Sequence, residues 1–105
     1  MNNRQVVEMW DNGFCAKTDH LFTNGKVIWS YGAHYPIAAK FNGNIYFNTQ
    51  GYSQTTAVHT GHVAKVLGYN TAKELIKAVK NNVQNNICLT NTKQLKVLIA
   101  TSGLS

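Results

Sequence analysis

A chain of 105 residues with 44% apolar content has room for one hydrophobic core and no second domain. Its 10 Lys and Arg against 4 Asp and Glu give a formal charge of +6 and a pI near 9.5. That balance favours acidic partners such as nucleotides, nucleic acid or an acidic protein surface. No run approaches the ~20 apolar residues of a membrane span. MNNRQVVEMW also lacks the basic-then-apolar order of a signal peptide, so a soluble cytosolic protein is the expectation. The lysines are spread along the chain, which leaves open that they only keep the surface soluble.

In chain order, residues 3–10 fit either a short helix or an opening strand. From Phe14 to Asn48 the signals are β: Asn24-Gly25 sits between apolar runs as a hairpin turn. Residues 26–31, 35–41 and 44–49 read as three strands, the last two joined by a tight Asn42-Gly43 turn. Pro36 suits the start or edge of its strand. The apolar period then changes from two to 3.6. Residues 54–67 put Thr56, His59, Val63, Val66 and Leu67 on one helical face, with Gly68 as the stop. A second helix over 71–84 opens on the capping box Thr71-Ala-Lys-Glu74; it buries Ala72, Leu75, Ile76, Val79 and Val83 beneath a stripe of Lys73, Lys77 and Lys80. After an Asn-rich loop, ICL forms a short strand, and Asn91 or Thr92 caps a last helix ending at Gly103. The pattern predicts a single α+β domain over 1–105: a small antiparallel sheet of three to four strands packed by two to three helices.

Cys15 and Cys88 belong to no CxxC pair and have no nearby histidine at zinc spacing, so they read as buried free thiols, with a disulfide between them the lesser alternative.

The strand-to-helix junction GYSQTTAVHTGHVAKVL, residues 51–67, is the chemically dense segment. A helix N-terminus presents unpaired N–H groups and partial positive charge, which suits a phosphate or carboxylate. Ser53, Thr55 and Thr56 serve either as caps or as extra donors to a bound anion. His59 and His62 lie three apart, and His34 sits just before a strand in YGAHYP. His59, on the apolar face, reads as a structural histidine, a ligand contact or, least well, a metal ligand. A pair of histidines with Lys40 or Lys65 is also the equipment of metal-independent phosphodiester cleavage. Trp29, Tyr31, Tyr35, Phe41, Tyr46 and Phe47 crowd the strands, as core or as stacking surfaces for bases. The junction and the 34–35 segment are expected to meet in one pocket, because the Asn42-Gly43 hairpin brings both to the same end of the sheet.

The two segments YGAHYPIA and NTQGYSQTTAVHTGHV resemble small proteins of unknown function encoded by phages and bacteria, on Tyr31, Gly32, His34, Tyr52, Ser53, Thr55, Thr56 and His59. The likeness covers roughly residues 28–67. It implies a viral or mobile-element context, in which small basic proteins inhibit host defence.

The sequence therefore reads as a non-enzymatic protein that binds a phosphate-bearing ligand, a nucleotide signal or nucleic acid, and sequesters it in the host cytoplasm. The ligand-binding residues expected are Tyr31, His34, Tyr35, Tyr52 and Ser53, with Thr55, Thr56, His59, His62 and Lys65. No catalytic residue, metal or cofactor is assigned, and homo-oligomerisation stays open. The alternatives are a His-dependent nuclease or phosphodiesterase using His34 and His59, and an inhibitor of an acidic host protein with no small ligand.

Overall fold

The structure, a computed structural model, describes residues 2–30, 35–50, 54–81 and 86–103, with the backbone alone over 54–56. Among them are four helices and six strands: α1 (Asn3–Asp11), β1 (Cys15–Lys17), β2 (Leu21–Asn24), β3 (Val27–Ser30), β4 (Tyr35–Phe41), β5 (Asn44–Asn48), α2 (Gln54–Val66), α3 (Ala72–Lys80), β6 (Ile87–Thr90) and α4 (Thr92–Ser102). The α+β class holds, but both counts exceed the three to four strands and two to three helices expected. The six strands form one sheet in sequence order. β1 to β5 run antiparallel, and β6 joins the edge parallel to β5 with Ile45 beside Ile87. A parallel neighbour needs a long crossover, and α2 and α3 supply it.

Local chemistry sets these elements. α1, left open by the sequence pattern, is a helix because Asn2 caps it. The Asn2 side chain accepts from Gln5 N at 2.8 Å, and Gln5 Oε1 accepts from Asn2 N at 2.8 Å. The Asn91–Gln94 pair does the same for α4, settling its cap on Asn91. Asn42 and Gly43 both take positive φ, 52° and 80°, as a type I′ hairpin requires. The β2–β3 hairpin turns differently: Asn24 Oδ1 accepts from Lys26 N at 3.0 Å and Val27 N at 2.9 Å, and Gly25 alone takes positive φ, 93°. A Cβ on Gly25 would lie 2.6 Å from the Gly13 carbonyl oxygen, so no other residue fits there without movement. α2 ends at Gly68 (φ 101°), where Gly68 N reaches Lys65 O at 3.0 Å and Tyr69 N reaches Ala64 O at 2.9 Å, a Schellman stop.

α3 is shorter than the helix expected over 71–84. It closes on Asn81, whose N–H bonds Lys77 O at 3.0 Å, and asparagine competes with helical backbone by side-chain hydrogen bonding. Val83 lies outside the described residues. The box at Thr71 forms by half. Thr71 Oγ1 accepts from Glu74 N at 3.1 Å, while Glu74 Oε2 accepts from Asn70 N at 3.2 Å rather than from the cap itself.

The sheet has two unlike faces. α1, α2 and α3 cover one, closing a core that includes Trp10, Ile28, Ile37, Phe47, Val63 and Leu75, all 0% exposed. Among the described residues α4 alone covers the other, with Leu95 and Ile99 on Val27, Trp29 and Ala39. The strand aromatics divide between these faces. Phe47 and Tyr35 are buried towards α1–α3, while Trp29 stacks on Phe22 with ring centroids 4.5 Å apart on the α4 side.

Two further expectations are corrected here. Cys15 is exposed on the short edge strand rather than buried, and Cys88 is half-buried; both are free. Lys40 does not reach the junction. It sits five residues along β4 from Tyr35, about 16 Å at strand rise. There its Nζ donates to the Trp10 and Asp11 carbonyls, pairs with Asp11 at 3.7 Å and lies 4.9 Å from the Trp10 ring centre.

Candidate functional site: a buried imidazole and an exposed basic groove on α2

Of the expected site residues, Tyr31, His34, Tyr52 and Ser53 lie outside the described residues, as do the side chains of Thr55 and Thr56. The other four, Tyr35, His59, His62 and Lys65, divide by depth.

Tyr35 and His59 point inward and are 2% exposed. They are brought together by register: Ser30 pairs with Tyr35 across β3–β4, and α2 lays two successive residues over that pair. His59 Nδ1 meets Ser30 Oγ at 2.8 Å, and Tyr35 hydrogen-bonds Thr60 as well as donating its hydroxyl to the Gln50 carbonyl. Burial pushes the Tyr35 phenol up, partly offset by the Thr60 hydroxyl.

The other ring nitrogen, His59 Nε2, lies 3.3 Å from Asn3 Nδ2 on α1. Its proton state follows from the groups behind it. Thr18 Oγ1 accepts from Leu21 N at 3.1 Å and His20 N at 3.3 Å, and it donates its own proton to Asn3 Oδ1. With the Asn3 oxygen so occupied, the Asn3 amide turns its NH2 to His59. Nε2 must therefore accept, and Nδ1 carries the proton and donates it to Ser30 Oγ. Burial lowers the His59 pKa, and the nearby His20 and His62 rings lower it further. Each of these three favours the neutral ring. His20 stacks on it with centroids 6.4 Å apart.

Ser30, His59 and Asn3 thus have the order of a nucleophile, base and orienting group, but the proton runs the wrong way for catalysis. A general base must take the hydroxyl proton, whereas this imidazole gives its own. Ser30 is also 0% exposed.

His62 and Lys65 face outward on the same helix. With Val66 they form one wall of a groove of about 260 Å³, and Arg4 and Glu8 of α1 form the other. Burial lowers the His62 pKa, and the positive charges of Lys65 and Arg4 lower it further. Glu8 is the single carboxylate among those lining residues, paired with Arg4 at 3.6 Å across one helical turn. Sequence reasoning found His62 and Lys65 but missed Arg4, whose approach depends on how α1 packs against α2. It also missed Asn3, Thr18, His20 and Ser30 around His59. Asn3 and His59 are 56 positions apart, a separation no spacing rule detects.

Among the described residues no group of three or more His, Cys, Asp or Glu side chains is placed to hold a metal ion. Nor is any helix among them long and apolar enough to cross a membrane. Compared with known proteins, the chain matches no family model, no curated protein and no solved structure.

Proposed function

We propose that the protein is a non-enzymatic binder of a phosphate-bearing anion, and that the described part of its binding surface is the α1–α2 groove. The observation that carries this reading is the convergence of Arg4, His62 and Lys65 from two helices on one groove. Three cationic or protonatable nitrogens around a concavity suit an anion. Burial, and after it the charges of Lys65 and Arg4, favour the neutral His62; an anion in the groove would offset the charges and help the ring take up a proton and donate a hydrogen bond. The formal charge of +6 would add long-range attraction for such a ligand.

The ligand class is a nucleotide or another small phosphate ester. Sequestration of such a signal inside an infected host follows only from the resemblance to phage- and bacterium-encoded proteins. The nuclease reading gains nothing from His59, whose ring is buried.

Calorimetric titration with inorganic phosphate and with nucleoside mono- and diphosphates tests the reading. Arg4→Ala and Lys65→Ala should each weaken binding by about tenfold, the loss of one charge-assisted contact. Affinities unchanged in both variants, or no binding of any of these anions, would overturn it.

A further inference from the structure

We propose that the Asn3–His59 contact is a proton-sensitive clasp, which holds α1 against α2 while the imidazole is neutral and releases when the ring takes a second proton. It deepens the anion-binding reading and rests on it only for the consequence at the groove. Arg4 follows Asn3 on α1 and His62 lies one turn beyond His59 on α2. The clasp therefore sets the spacing between the two walls of the groove.

The argument is one of hydrogen-bond direction. Thr18 fixes the Asn3 amide with its oxygen occupied and its NH2 towards Nε2. A protonated imidazole donates from both nitrogens, so Nε2–H would confront the Asn3 NH2, two donors with no acceptor between them. The surroundings add to the penalty. His20 from the β1–β2 connection stacks on the ring, His62 follows it on α2, and Arg4 and Lys65 bring further positive charge near His62. Ser30 on β3 is neutral, and Glu8 on α1, the one acid in the adjoining groove, is paired with Arg4. Among the described residues no carboxylate, including Asp19 beside His20, forms an ion pair with the ring that would stabilise a second proton. Because the folded His59 pKa lies below the unfolded value of about 6.5, the unfolded chain binds the proton first. The stabilisation is complete above that value and is lost as pH falls from it towards the folded pKa.

Asn3→Asp reverses the logic. A carboxylate in place of the amide accepts from Nε2–H and favours the protonated ring, and an acidic residue in the first turn of α1 also suits the helix dipole, so the variant should fold. A second variant, Thr18→Val, frees the Asn3 oxygen, lets the amide turn over and should flatten the pH dependence.

The experiment follows the imidazole signals of ¹⁵N-labelled protein and its Tm from pH 7.5 to pH 5. Sulfate, whose charge is constant over that range, is titrated in parallel. Wild type should keep a neutral, Nδ1-protonated His59 below pH 6.5 and lose about 5 °C of Tm across the range. Asn3→Asp should raise the His59 pKa and hold or gain Tm as the pH falls. Equal pH slopes in wild type and Asn3→Asp, or wild-type His59 titrating at its ordinary value, would overturn the clasp. An inverted slope without sulfate binding at any pH would support the clasp and remove the anion reading. Sulfate binding with equal slopes would do the reverse.

Discussion

The two faces of the sheet are held by different chemistry. Under α4 the contacts are apolar: Leu95 and Ile99 press on Val27, Trp29 and Ala39, with Phe22, Phe41, Tyr46 and Leu98 at the margin. Under α1 and α2 a core of the same kind adjoins a polar chain running from half-buried Thr18 and Asn3 to buried His59 and Ser30. The first face depends on area and shape, which change little with pH. The second depends on every donor meeting an acceptor, a condition one proton can undo. The groove that holds the exposed basic groups adjoins the second face, so the responsive part of the fold lies next to the candidate ligand site.

The largest effect expected is on the apolar face. Leu95→Ala should cost about 2–5 kcal/mol for the lost burial and the cavity left behind, with the same loss at pH 7.5 and pH 5 in chemical denaturation. A loss that varied with pH would mean that the two faces are coupled.

On the polar face, His59→Leu strands the buried Ser30 hydroxyl, at about 1–3 kcal/mol for a buried group left unpaired, while the half-buried Asn3 amide can turn to water. The variant should be less stable than wild type at pH 7.5, and the gap should narrow by pH 5, since the variant has no imidazole to protonate. A constant gap would show that His59 contributes by packing alone.

Gly25→Ala should cost at least about 2 kcal/mol, from the positive φ and from the Cβ facing the Gly13 carbonyl. This loss too should be independent of pH.

The smallest effect on stability belongs to the groove. The Arg4–Glu8 pair is solvent-exposed, and such pairs contribute about 0–1 kcal/mol. Glu8→Gln should leave the denaturation midpoint nearly unchanged while strengthening phosphate binding several-fold, because it removes the one negative charge from the groove.

The elements written in local rules were legible in the sequence. Asn42-Gly43 gave its hairpin, the change of period at residue 50 gave α2, and Gly68 gave its end. The Asn2–Gln5 cap obeys the same kind of rule but lacks the Ser or Thr of the commoner box, so α1 stayed undecided between helix and strand. β1 offered little to read: of its three residues only Ala16 packs inward, and three residues make no period. β6 adds itself by a parallel pairing across two helices, which no short-range signal announces. At the site, the period correctly put His59 on the inward face of α2. Inward, however, meant sealed among Asn3, Ser30 and His20, partners that only the tertiary fold assembles. The outward residues His62 and Lys65 were legible as charged neighbours, and their third partner, Arg4, came from the element the sequence left undecided.

The division of labour on α2, with His59 holding the fold and His62 meeting the ligand, is most directly tested by an NMR titration with phosphate at constant pH. Shifts confined to the His62 ring, the Arg4 guanidinium and the Lys65 ammonium, with His59 keeping its Nδ1–H signal, are the expected result. A phosphate-dependent change at the His59 ring with the groove residues silent would contradict it and place the ligand at the buried imidazole.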